Sequence, residues 1–178
     1  AKAAPFQQYE TGRGQKMSVR MTGAGDMAWV SDRRGYRYEP AQSSGNAWPD
    51  IPASILRVWY AVSGVSRAPD SCLVNFYGQG ARMGLHQDKD EIDFEAPVLS
   101  VSLGDTAIFR IGGSARKDPT CSFRLQSGDV LVMGGPARMN FHGVDRVIPA
   151  TSTLLNGGGR LNLTLRRVNL PVEQHGFT

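Results

Sequence analysis

Residues 160–166, Arg160-Leu161-Asn162-Leu163-Thr164-Leu165-Arg166, alternate without a break between leucines and polar side chains. Successive side chains of an extended strand point to opposite faces, so Leu161, Leu163 and Leu165 share one side and Arg160, Asn162, Thr164 and Arg166 the other. Two readings of the polar face are open. An ordinary half-buried strand turns it to water. If it lines a barrel mouth instead, the two guanidinium forks start about 20 Å apart at full extension, and strand twist and bending must bring them onto one small dianion. Guanidinium grips carboxylate through paired N–H···O bonds, so such a face suits a dicarboxylate.

Working outward from this strand, the chain after Asp70 is a series of short β-type runs punctuated by Gly, Pro, Asp and Ser. They are CLVNFY, APVLSVSL, TAIFRIG, CSFRL, DVLVMG, MNFHGV and RLNLTLRRV, the pattern of an all-β sandwich or jelly roll. Upstream, Ile55, Val58, Trp59 and Val62 follow the i, i+3, i+4, i+7 spacing behind Pro52, which predicts one helix over 52–63 packed on the outside. Residues 1–50 mix strand-like pieces such as MSVRMT (17–22) with glycines and Trp29, Tyr36, Tyr38 and Trp48, and read as irregular cover. No linker or repeat divides the chain, so a single domain over 1–178 is expected.

The 178 residues are enough to bury a core without disulfide or metal staples, and 40% apolar with 20% charged residues is the composition of a folded chain. No apolar run approaches the ~20 residues of a membrane helix. The first ten residues lack a signal-peptide layout. Cys72 and Cys121 have neither redox nor zinc spacing, and a reducing cytoplasm fits them best. The formal charge is +4, from 16 Arg and 4 Lys against 16 acids, which makes nucleic acid a candidate partner, although an Arg-rich genome composition gives the same ratio. Residues 80–100 reverse the balance, with two basic and five acidic residues. Such a block is ordinarily a solvated loop, but it can also hold a cation.

In His86-Gln87-Asp88 the first and third residues share one face if the segment is extended. A surface pair explains that motif alone. His142, 54 residues beyond Asp88 in another strand-like run, changes the weighting, because a β-fold can return it to the first pair. Two His and one carboxylate form the facial triad that leaves metal positions open for a co-substrate and oxygen, whereas a structural zinc site closes with four ligands, usually including Cys. His175, in the tail VEQHGFT, reads as a solvent residue.

His86-Gln87-Asp88, then His142, then Arg160 and Arg166, with Asn75-Phe76-Tyr77 upstream, resembles the AlkB family of iron and 2-oxoglutarate dependent nucleic-acid dealkylases from about Met17 to Val168. The resemblance implies a mainly β (α+β) double-stranded β-helix spanning 70–170, with a packed helix and with 1–50 as an N-terminal nucleotide-recognition lid. It implies that His86, Asp88 and His142 hold Fe(II), that Arg160 and Arg166 bind the two carboxylates of 2-oxoglutarate, and that Asn75, Tyr77 and Asn162 assist. O2 is the second co-substrate. By the same resemblance Trp29 and the Tyr36 to Tyr38 run belong to the lid, Asp90 meets the base and Arg116 lies on the substrate side. Aromatics interleaved with Arg33 could in any case stack a base and grip phosphates, while core packing explains Trp29 and Tyr36 as well. Asp90 and Arg116 also read as free loop side chains.

Two departures stand out: Met133 precedes Gly134-Gly135 where the bacterial archetype of the family has Trp, and the chain begins at Ala1 without Met or the leader of longer members, so a shortened chain is expected. The reading is a monomeric cytoplasmic dioxygenase that demethylates bases such as 1-methyladenine and 3-methylcytosine in DNA, single-stranded or with the nucleotide flipped out, with RNA left open as a further substrate. An oxygenase acting on a protein or small molecule is the first alternative. A non-catalytic nucleic-acid-binding β-domain is the second.

Overall fold

The computed structural model describes residues 2–11 and 14–170, and His175 lies outside them. The described chain runs through β1 (Arg20–Gly25), β2 (Ala28–Asp32), β3 (Gly35–Glu39), α1 (Ala53–Val62), β4 (Ser71–Tyr77), β5 (Met83–His86), β6 (Val98–Gly104), β7 (Thr106–Ile111), β8 (Cys121–Leu125), β9 (Val130–Met133), β10 (His142–Ile148) and β11 (Arg160–Arg166). A larger antiparallel sheet has the order β1-β4-β11-β6-β9 and a smaller one β5-β10-β7-β8, while β2 and β3 pair only with each other. The two sheets bury one apolar cluster that draws Met21, Leu73, Val98 and Met133 from the larger and Ala107, Phe109, Leu125 and Val144 from the smaller. This is the jelly-roll sandwich expected of the strand-rich pattern.

The alternation of β11 sorts as the sequence requires, with an inversion of the usual rule for a sheet. Leu163 and Leu165 face outward, yet they are buried, because α1 covers that side with Trp59, Leu56 and Ile55. Arg160, Asn162, Thr164 and Arg166 are buried too, on the side facing the smaller sheet. Asn75 and Tyr77 of β4 and Ser100 and Ser102 of β6 line up beside them through the register Asn162↔Asn75, Asn162↔Ser102 and Thr164↔Ser100. The larger sheet therefore offers a polar strip inside the sandwich.

The predicted helix is present one residue shorter at each end. Trp59 is fully buried and donates its indole N–H to the Arg67 carbonyl at 2.9 Å. Val62, expected on the packed face, is exposed, since the helix ends there and the chain turns away at Ser63 and Gly64. A larger correction concerns residues 1–50. They are not irregular cover: β1 is an edge strand of the main sheet, and β2 and β3 form a hairpin docked beside it. Glycine makes that docking possible, because a Cβ on Gly23 would stand 2.2 Å from the Ala28 Cβ. The four-residue β5 also went unforeseen as a strand.

Candidate active site

β5 and β10 are antiparallel neighbours whose register sets His86 directly opposite His142. The approach is close at this point. A Cβ on Gly143 would lie 2.5 Å from the Met83 carbonyl, so the residue after His142 has to be glycine for the strands to meet. Asp88 follows two residues beyond β5, and ligand atoms of His86, Asp88 and His142 all lie within 4.8 Å of one another. Nε2 of His86 is 3.7 Å from Asp88 Oδ1, and Nε2 of His142 is 3.8 Å from Asp88 Oδ2.

Both rings are held from behind. Nδ1 of His86 lies 2.9 Å from the Gly84 carbonyl and Nδ1 of His142 lies 3.0 Å from the Asn140 carbonyl. A carbonyl can only accept, so each Nδ1 carries a proton and each Nε2 is turned to the common centre. Burial, the largest influence on the His142 pKa, pushes it below the ordinary value and so favours the neutral ring. Burial alone would raise the pKa of Asp88, but the Arg166 guanidinium, the largest opposing influence, outweighs it and holds the carboxyl well below the usual range. Two imidazoles and one carboxylate, with no further His, Cys or acid joining them among the described residues, are the donor set of a divalent iron that keeps coordination positions free.

Beside the triad, Asn75, Tyr77, Ser100, Met133, Asn162, Thr164 and Arg166 wall a narrow cavity. Arg166 directs Nη2 to Asp88 Oδ2 at 3.0 Å while its Nη1 is buried without a protein partner. Asn162 donates to Ser100 Oγ at 2.7 Å, and Asn75 Oδ1 is buried and unbonded. Arg160 is fully buried, yet no carboxylate lies within ion-pair distance of it among the described residues. Only Nη2 is bonded, to Ser102 Oγ at 2.8 Å; its guanidinium lies 5.5 Å from the Tyr77 ring, which stands in the cavity wall where Arg160 itself does not. A buried guanidinium without an anion is strongly unfavourable, so a dicarboxylate fits the polar atoms left over here.

A second cavity of about 570 Å³ shares Leu73, Met83, His86, Asp88 and Arg166 with the first and opens toward the hairpin. Trp29, Tyr36, Asp90 and Arg116 all line it. Trp29 and Tyr36 stack with centroids 5.2 Å apart, and the Trp29 indole N–H donates to Asp90 Oδ2 at 2.9 Å. Tyr36 is half exposed, and Arg116 lies over the Phe141 ring at 4.9 Å. Tyr38 reaches neither cavity wall; its hydroxyl donates to Glu91. Arg33 is exposed at the hairpin turn, outside both walls.

The 2OG-Fe(II) oxygenase superfamily family model matches residues 1–166. An alpha-ketoglutarate-dependent dioxygenase AlkB homolog of Caulobacter vibrioides (strain NA1000 / CB15N) is 58% identical over 168 residues, covering 94% of this chain and 76% of that protein. This chain belongs to the AlkB family. The alpha-ketoglutarate-dependent dioxygenase AlkB of Escherichia coli (strain K12) is 42% identical over 172 residues, covering 94% of this chain and 79% of that one. The solved structure of OsALKBH1 superimposes with a TM-score of 0.77 at 34% identity, over 93% of this chain and 85% of that one. The protein is thus a 2-oxoglutarate and Fe(II) dependent dioxygenase with the jelly-roll fold of its relatives.

In this AlkB-family dioxygenase the acidic block 88–95 is only partly solvated, with Asp90 and Glu95 exposed and the other three acids turned inward. Asp88, Glu91 and Asp93 are buried, and each has a cation: Arg166 for Asp88, Arg138 and Arg166 for Glu91, and Arg67 for Asp93 at 2.8 Å. Glu91 and Arg138 were missed by sequence reasoning. The one available signal was an acidic run two residues past a metal-type motif, and it does not say which carboxylates turn inward. Met83, Leu73 and Phe141, which complete the cavity walls, carry no sequence signal beyond apolarity.

Proposed function

We propose that this AlkB-family enzyme oxidatively removes small alkyl groups, chiefly methyl, from nucleobases such as 1-methyladenine and 3-methylcytosine in DNA, with RNA as a further substrate. The observation that carries the reading is the joining of two cavities at His86 and Asp88, one with leftover cationic and amide groups and the other with stacked aromatics. In this reading His86, Asp88 and His142 hold the iron. Bound there with 2-oxoglutarate and O2, the metal supplies oxidation of the N-alkyl carbon, and the products are succinate, CO2, formaldehyde and the unmodified base.

The chain's own residues bind, orient and exclude water. Arg166 takes one carboxylate of 2-oxoglutarate and Arg160 the other, with Asn75, Tyr77 and Asn162 as neutral partners. Within residues 1–50 the β2–β3 hairpin acts as the nucleotide-recognition lid of one domain, whose catalytic core is 70–170 together with the edge strand β1. In that lid Trp29 and Tyr36 stack the target base, as single-strand binders do, and Tyr38 braces the hairpin. Asp90, fixed by the Trp29 indole, favours a ring made cationic by N-methylation. Arg33 and Arg116 meet flanking phosphates. The enzyme acts as a monomer on a single-stranded or flipped nucleotide, since the reacting carbon is out of reach inside a stack. A cytoplasmic site of action fits the two free cysteines, and no described helix is long and apolar enough to cross a membrane.

A turnover screen tests this directly. Oligonucleotides carrying 1-methyladenine or 3-methylcytosine, in DNA and RNA arms, should release formaldehyde only with Fe(II) and 2-oxoglutarate present. Consumption of 2-oxoglutarate that no methylated strand accelerates would point instead to a protein or small-molecule substrate.

A further inference from the structure

Behind the triad lies a buried group of charges that the reaction as described leaves without a task. Arg138 caps the short turn Gly135–Ala137 and is almost wholly buried. Its fork meets three acceptors: Nε donates to the Ala96 carbonyl at 3.1 Å, Nη1 to the carbonyl of the metal ligand Asp88 at 2.6 Å, and Nη2 to Glu91 Oε2 at 3.1 Å. Glu91 holds Arg166 Nε through Oε1 at 3.2 Å, and the same oxygen accepts the Tyr38 hydroxyl. Arg166 turns Nη2 and Nε toward Asp88 Oδ2, at 3.0 and 3.3 Å. Its Nη1 is the one guanidinium nitrogen left without a partner.

Two cations balance two anions here, and a buried arrangement of this kind adds little net stability over apolar residues of the same volume. It fixes geometry instead. A long arginine side chain has many rotamers, and aiming its one unpartnered nitrogen at a small carboxylate requires one of them.

We propose that Arg138 and Glu91 are positioning residues of the co-substrate site: together they lock the rotamer of Arg166 and the main chain of Asp88, so that Arg166 Nη1 is presented to a carboxylate of 2-oxoglutarate. The inference rests on the proposed role of Arg166. It also gives the lid hairpin and the co-substrate arginine a common anchor, because Tyr38 of β3 and Arg166 of β11 meet on one oxygen of Glu91.

Glu91→Gln keeps shape and volume, but its amide has a single acceptor oxygen for donors that now use two, and its NH2 faces another donor. Arg138→Lys keeps the charge and loses the fork. The experiment titrates 2-oxoglutarate into the full chain loaded with redox-silent Mn(II), by calorimetry, beside thermal unfolding of each variant and steady-state kinetics with Fe(II). Both variants should stay folded while the Kd for 2-oxoglutarate rises about tenfold, as expected when a supporting hydrogen-bond partner is lost. KM for 2-oxoglutarate should rise in parallel, with kcat at saturating co-substrate within about twofold of wild type, which marks a binding defect and not a chemical one. A purely structural role lowers Tm and leaves the Kd of the folded protein alone, and folded variants of wild-type affinity overturn the proposal. Should Arg138→Lys fail to fold, Glu91→Gln decides. Wild-type protein that takes up no 2-oxoglutarate would overturn the functional reading itself, and the inference with it.

Discussion

Asp88 has two tasks: it supplies the anionic oxygen of the triad, and it neutralises the buried Arg166. Its lowered pKa means that the stability it contributes is present above the ordinary carboxylate range and is lost as pH falls through the lowered folded value. Asp88→Ala should therefore abolish 2-oxoglutarate turnover and also destabilise the fold by about 1.5–3 kcal/mol, because the buried Arg166 guanidinium loses one of its two carboxylate partners and keeps only Glu91. Succinate release and denaturant unfolding check the two halves, and His175→Ala should change neither. At the other cavity, Trp29→Ala or Tyr36→Ala should weaken binding of a methylated oligonucleotide by roughly five- to a hundredfold, the equivalent of ~1–3 kcal/mol of stacking. Decarboxylation of 2-oxoglutarate without a strand should survive both changes. A loss of both activities together would make these aromatics packing residues.

Elements divide the work by face. Helix α1 covers the outer face of the main sheet, and the polar strip of β11, β4 and β6 lies on the inner face, so damage to the one should spare the other. Trp59→Ala, which empties a fully buried site, should cost about 3–5 kcal/mol by denaturant unfolding while KM for 2-oxoglutarate holds. Gly23→Ala acts at the opposite corner. Its Cβ has no room against Ala28, so β2 must shift away from β1, at a cost of ~1–3 kcal/mol and with weaker oligonucleotide binding. The legibility of these elements in the sequence follows from their side chains. β11 could be read because its alternation is unbroken over seven residues, and its polar face was decided only by what lies opposite. β1 could be read only over Arg20–Thr22, within MSVRMT, since Gly23 and Gly25 interrupt its pattern for reasons of space and turn geometry that reside in other parts of the chain.

For the molecule as a whole, the two thiols report on the sandwich. Cys121 is exposed on the edge strand β8, whereas Cys72 is fully buried and burial pushes its thiol up to about 12. One thiol should react at once with a chromogenic disulfide reagent near neutral pH and the second only on unfolding. Because the unfolded Cys72 ionises near 9.0 and the folded one near 12, the unfolded chain loses this proton first, and its contribution to stability should fall as pH rises through that window. The grouping of His86, Asp88 and His142 was legible because the chain has only three histidines and two of them lie in strand-like runs. Glu91 and Arg138 were not, because a carboxylate in an acidic run looks the same whether it meets water or a buried guanidinium. What joins these parts is one reaction, and the ratio of its products tests the account most directly. With Fe(II), 2-oxoglutarate, O2 and a strand carrying 3-methylcytosine, the wild-type protein should release formaldehyde and succinate in equal amounts and leave cytosine behind, and Asp88→Ala should release neither. Succinate formed without formaldehyde in the presence of that strand, or formaldehyde formed by Asp88→Ala, would contradict it.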